Sequence, residues 1–151
     1  MKLSKHLSLS EVIKSNTATR RGISNQPTQQ HLQNLIILAK EVFEPIREHF
    51  DEPIYVSSGY RSKALNKAIG GSKTSQHCKG EALDLDQDYR NTNVTNKQVF
   101  DFIKDNLEFD QLIFEFGTED NPAWVHVSYN AKGNRRQVLK AIKGKGYVSY
   151  S

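Results

Sequence analysis

One ten-residue stretch, Ser75-Gln-His-Cys-Lys-Gly-Glu-Ala-Leu-Asp84, limits what the chain can fold into more than any other. It reads as a turn that delivers a histidine, followed by a strand that delivers a carboxylate. Gly80 stands where the chain must reverse, and a left-handed backbone angle costs glycine little there. From Glu81 the alternation puts Ala82, Asp84 and Asp86 on one strand face and Glu81, Leu83 and Leu85 on the other. His77 and Asp84 offer an imidazole nitrogen and a carboxylate oxygen, both suitable for a divalent metal. A third ligand is needed, and the best candidate is His126 in Trp124-Val-His-Val-Ser-Tyr129, a second alternating strand. Three protein ligands leave one tetrahedral position open, the pattern of a catalytic rather than a structural zinc. Two imidazoles favour zinc over calcium or magnesium. The 2-His-1-carboxylate triad of non-haem iron oxygenases is the chemical competitor. Those sites commonly use His-x-Asp, whereas Asp84 lies seven positions after His77.

Helices and short strands surround this stretch. Ser8-Leu-Ser-Glu11 is a capping box that opens a short helix over 8–16, and the polar stretch Thr17 to Pro27 reads as a loop. Leu32, Leu35, Ile36, Ala39, Val42, Phe43, Ile46 and Phe50 recur at helical spacing, a core-packing stripe. Pro45 should kink that long helix, because the Glu41 carbonyl loses its partner. Asp51-Glu-Pro53 ends it. A strand is expected at Ile54–Ser57, a helix at Arg61–Ile69 closed by Gly70-Gly71, and a strand at Ala82–Asp86. Gln87 to Val94 is a polar connection. Thr95-Asn-Lys-Gln98 is a second capping box, before a helix that buries Val99, Phe102, Ile103 and Leu107. Strands Leu112–Phe116 and Trp124–Tyr129 flank a turn-rich Gly117–Pro122, a last strand covers about Arg135–Ile142, and 143–151 reads as a loose tail. One α+β domain over 1–151 is expected, a small antiparallel sheet with helices packed around it.

These residues carry a family resemblance. Ser-x-His-x-x-Gly-x-Ala-x-Asp at 75–84, Ser-Gly-Tyr-Arg at 58–61 and Trp-x-His at 124–126 together resemble the zinc D,D-peptidases of bacterial cell walls. That D-alanyl-D-alanine carboxypeptidase-like group shares its fold with the hedgehog signalling domain, and the resemblance runs from about Leu7 to Ile142. It implies a hedgehog/DD-peptidase-like fold, a bound Zn2+ and hydrolysis of a peptide bond in peptidoglycan stem peptides. The enzyme would be a carboxypeptidase or endopeptidase; the phage endolysin or virion-associated kind is one candidate, suggested by the lack of a signal-peptide core, and a bacterial enzyme is the other. Arg61 matches the arginine that family members use for substrate, and its guanidinium fork suits a peptide carboxylate. A structural salt bridge is the alternative. Ser75 either donates to substrate or fixes its loop, Trp124 walls the pocket or joins the core, and Asp86 orients a ligand or is simply solvated. Many family members place an acid three residues before the final histidine, where this chain has Ala123. Glu115 is then the preferred general base, since a carboxylate amid Ile113, Phe114 and Phe116 is an odd choice unless something uses it. Asp120 and Glu119, in the following turn, are its rivals. With no base at all, the chain would be a catalytically silent, zinc-stabilised binding module for cell-wall peptide or a protein partner.

Composition narrows the partners. The net charge of +4 suits a polyanionic cell wall, and nucleic acid is not expected because the basic residues form no run or stripe. The single cysteine, Cys78, excludes an intramolecular disulfide. In a strand-like stretch it points away from His77 and reads as a small buried residue. His6, His31 and His49 lack partners at ligand spacing and read as ordinary surface residues. No apolar run is long enough to span a membrane, and Met-Lys-Leu-Ser-Lys-His lacks a signal-peptide core. The expectation is a monomer, made in the cytoplasm without a signal peptide, that reaches the wall by phage-type release or another non-signal route.

Overall fold

The computed structural model of the chain describes residues 1–90 and 92–151. Its first element is a small hairpin, β1 (Lys2–Ser4) with β2 (Leu7–Ser8), too short to leave an alternation in the sequence. The Ser8–Glu11 capping box forms and opens α1 (Leu9–Ile13), with the Ser8 N–H donating to Glu11 Oε1 at 3.0 Å. The helix expected over 8–16 stops there, because Ser15 starts a second one. Its Oγ accepts from the Ala18 N–H at 3.1 Å, and α2 (Asn16–Arg21) occupies what had read as a loop, closed by Gly22.

The apolar stripe from Leu32 to Phe50 is helical throughout, but in three parts. α3 (Gln29–Leu38) runs into a π-helical turn, Ala39–Phe43, and continues as α4 (Glu44–Phe50). In that turn the Glu44 N–H donates to Ala39 O, so a wider turn absorbs the missing donor of Pro45. Then come β3 (Val56–Ser58) and α5 (Lys63–Ala68), followed by β4 (Ala82–Leu85). The polar connection after β4 includes Asn91, which lies outside the described residues. Beyond it the Thr95–Gln98 capping box opens α6 (Asn96–Asn106). Strands β5 (Gln111–Glu115), β6 (Trp124–Ser128), β7 (Gln137–Ile142) and β8 (Gly146–Ser149) complete the chain.

Six strands form one sheet in the order β3-β4-β6-β5-β7-β8. The α+β class holds, but the sheet is not antiparallel throughout. A short link reverses the chain from β6 into β7, which therefore runs parallel to β5. The expected loose tail is also corrected, since β8 pairs with β7 from Leu139↔Ser149 to Ile142↔Gly146. All four β8 residues are exposed, so backbone pairing rather than burial holds it, and that leaves no apolar pattern to read. One face of the sheet, with Leu83, Leu85, Leu112, Phe114, Val125 and Val127, packs in a core with residues of α3, α4 and α6. Tyr150 joins it, 4.8 Å from Phe100 and 5.8 Å from Phe114 between ring centroids. The three histidines taken for ordinary surface residues are tied to partners distant in sequence. His6 Nδ1 lies 2.7 Å from Glu44 Oε1, His31 Nδ1 lies 3.2 Å from Tyr60 Oη, and His49 stacks on Phe102. Among the described residues, no helix is long and apolar enough to cross a membrane.

Candidate metal centre

The second face of the sheet carries the chemistry. Asp84 on β4 pairs directly with His126 on β6, so both side chains stand on this face. His77 approaches from above, in a 3-10 turn over Gln76–Lys79 rather than a strand. Ser75 caps that turn, its Oγ accepting from the His77 N–H at 3.2 Å and from Arg61 Nη2 at 3.4 Å. Of its two sequence readings, the loop-fixing one is visible. Gly80 ends the turn at φ +73°, where a Cβ would lie 2.5 Å from His31 O, so no side chain fits.

Hydrogen bonds decide which imidazole nitrogens are free. His77 Nδ1 lies 2.6 Å from Gly59 O, and a carbonyl only accepts, so Nδ1 carries the proton and Nε2 keeps its lone pair. For His126 the logic runs through three residues. Arg135 donates to both oxygens of Asp110, at 3.0 and 2.8 Å, and Gln76 Nε2 donates to Asp110 Oδ2 at 3.0 Å. This fixes the amide so that Gln76 Oε1 faces His126 Nε2 at 3.0 Å, which must then be the donor, leaving Nδ1 free. Both free nitrogens point at one oxygen, with His77 Nε2 3.2 Å and His126 Nδ1 3.1 Å from Asp84 Oδ1. With neutral imidazoles, three acceptors converge with no proton among them, an arrangement that a divalent cation satisfies. The spacing also fits, because two ligands about 2.0–2.1 Å from a tetrahedral zinc are themselves about 3.3 Å apart. Among the described residues this is the one group of three or more His, Cys, Asp and Glu side chains placed to hold a metal. Cys78 is half-buried and outside it.

The cleft around this group, about 420 Å³, brings together most of the expected site residues: Arg61, Ser75, Glu115 and Trp124 all line it. Glu115 pairs with Trp124 and accepts from its Nε1 at 3.2 Å, which places the tryptophan at the cleft and not in the core. The two acids of this face are pushed in opposite directions. When no metal is bound and the histidines are protonated toward it, burial would raise the Asp84 carboxyl, but the charge of His77 and hydrogen bonds from His126 and His77 override it and hold it well below the usual carboxylate range. Burial and then the Asp84 charge push Glu115 up to about 6, against weaker pulls from His126, Trp124 and Arg61. Arg61 has no carboxylate within salt-bridge distance among the described residues, and its Nε is buried without a partner.

Other expected residues lie elsewhere. Asp120 and Glu119 are exposed in the turn after β5 and do not line the cleft. Asp86 caps a 3-10 turn at Gln87–Tyr89, accepts from Asn96 Nδ2 at 3.0 Å and does not line the cleft. The sequence reading missed Gln76, Asp110 and Arg135, which orient His126. Of these only Gln76, inside the ten-residue stretch, carried a signal, as an amide between Ser75 and His77. A family model described as Peptidase M15 matches residues 5–128. No curated protein matches the chain significantly.

Proposed function

The chain belongs to the Peptidase M15 family, and from that premise we propose that it is a zinc metallopeptidase hydrolysing a peptide bond in peptidoglycan stem peptides. The single observation that carries this reading is the convergence of His77 Nε2, His126 Nδ1 and Asp84 Oδ1, with a raised carboxyl, Glu115, in the same cleft. Held by His77, Asp84 and His126, a zinc ion would supply Lewis-acid chemistry for the scissile carbonyl and would lower the pKa of water. Glu115 takes the proton from the attacking water and returns it to the leaving amine, and the charge of a zinc ion beside it would keep it ionised to accept that proton. The Trp124 N–H holds Glu115 in place for that transfer. Arg61, without an acid of its own, binds a substrate carboxylate bidentately. Ser75 positions both Arg61 and the His77 turn.

The test uses purified sacculi and the zinc-loaded protein. Release of new amino groups is expected, abolished by a chelator and restored by zinc. Retention on sacculi without any release would instead make this face a binding module, and release that survives complete metal removal would overturn the assignment.

A further inference from the structure

The family match ends at Ser128, but the cleft does not. Beyond it the chain adds β7 and β8, and Leu139 and Tyr147 from these strands line the same cleft as His77, Asp84 and Glu115. Strand register explains how. Glu115 pairs with Trp124 on one side and Ala141 on the other, and Ala141 pairs with Tyr147. Directly opposed residues share a face, so these four side chains form one row across the site. Ala141 is buried and small, and Leu139, two residues before it on the same face of β7, lines the cleft with Tyr147, which remains 63 % exposed. The phenol is pushed up first by partial burial and then by the Glu115 and Asp84 charges, which places it within their field.

We propose that the β7–β8 hairpin is the acyl-side wall of the substrate cleft, and that Tyr147 binds the residues N-terminal to the scissile bond. The inference rests on the peptidase reading above and adds a direction to it. Arg61 follows β3, at one edge of the sheet, and β8 is the other edge. A peptide whose carboxylate meets Arg61, and whose scissile bond meets the His77, Asp84 and His126 group, would carry its N-terminal part over Ile113 and Leu139 toward Tyr147. Three strand spacings separate β6 from β8, about 14 Å, the length of about four extended residues. Tyrosine suits such a wall: its ring packs on an extended chain and its hydroxyl donates to a peptide carbonyl.

The test compares kcat/KM for two stem peptides that share a scissile bond, one extended N-terminally by about two residues. The wild-type protein should favour the longer peptide. Tyr147→Ala should cut that preference by roughly tenfold or more, through KM rather than kcat, at equal zinc content. Tyr147→Phe should keep most of it. Val148→Ser, on the opposite face of the same strand, should keep all of it, which shows that the effect belongs to the tyrosine and not to hairpin pairing. A wild-type protein blind to length overturns the inference, as does a Tyr147→Ala protein with the wild-type preference. If neither peptide is bound or cleaved, the peptidase reading falls, and this inference with it.

Discussion

On one face of the sheet Leu83, Leu85, Leu112, Phe114, Val125 and Val127 pack in the helical core; one position along the same strands, Asp84, Ile113, Glu115, Trp124 and His126 face the cleft. The apolar face needs only volume and shape, and gains stability from each buried side chain. The cleft face buries two histidines and Glu115, groups that a core would avoid. The two faces are coupled by register. Because side chains alternate with a period of two, a one-residue slip of β6 would turn His126 into the core and expose Val125 and Val127. The apolar face therefore holds the ligands in place, and the site tolerates its own cost because its neighbours do not share it.

The comparison predicts which substitutions break function and which break the fold. Glu115→Gln keeps the shape and removes the proposed base, so kcat should fall roughly 10²–10⁴-fold with zinc still bound. Asp120→Asn, out in the turn, should stay within a few-fold of wild type. Steady-state kinetics on zinc-loaded, folded proteins decide it, and the reverse ranking would move the base to Asp120. Next in size is Phe114→Ala, one residue away and facing the core. Its ring is fully buried and lies 5.3 Å from Phe100 between centroids, so its loss should cost about 3–5 kcal/mol in denaturant unfolding. The folded fraction should still take up one zinc. A stability loss below about 1 kcal/mol would mean that this face does not carry the register.

How much of this was legible in the sequence follows the same division. The core stripe of α3 and α4, the alternation of β4 and β6 and the grouping of His77, Asp84 and His126 were readable, because burial and a set of side chains able to hold a metal both leave periodic or spaced residue types. Glu115 was readable as a misfit, a charge in an apolar strand. The α2 helix was hidden because its residues, Asn16 to Arg21, carry almost no apolar stripe and depend on the Ser15 cap. Strand β8 was hidden because none of its side chains is buried, and Tyr147 with it. The parallel β5–β7 ladder follows from strand order, which periodicity does not encode. Asp110 and Arg135 reach His126 through Gln76, across three separate segments, and pairings of that kind leave no local pattern.

The smallest predicted effect has the most informative sign, for on the cleft face the substitution that removes activity should add stability. Glu115 titrates at 4.5 in its ordinary state and at about 6 in the folded protein. Below pH 4.5 it is protonated in both states and favours neither. Between there and pH 6 the folded protein keeps a proton that the unfolded chain has released, so stability falls as pH rises. Above that window the loss is complete, and a shift of this size amounts to about 2 kcal/mol. Glutamine never ionises, and its amide oxygen can still accept from Trp124. In metal-free protein, Glu115→Gln should therefore be more stable than wild type by about 2 kcal/mol at pH 8 and equal to it at pH 4. Bound zinc should shrink the gain, because its charge favours the ionised carboxylate. Urea unfolding at the two pH values, after chelator treatment, reads the difference directly. Asp84, held below the usual carboxylate range, is present in both proteins, so its own titration cancels in the comparison. An equal change at both pH values would show that shape, not charge, sets the cost of Glu115, and the contrast between the two faces would lose its electrostatic half.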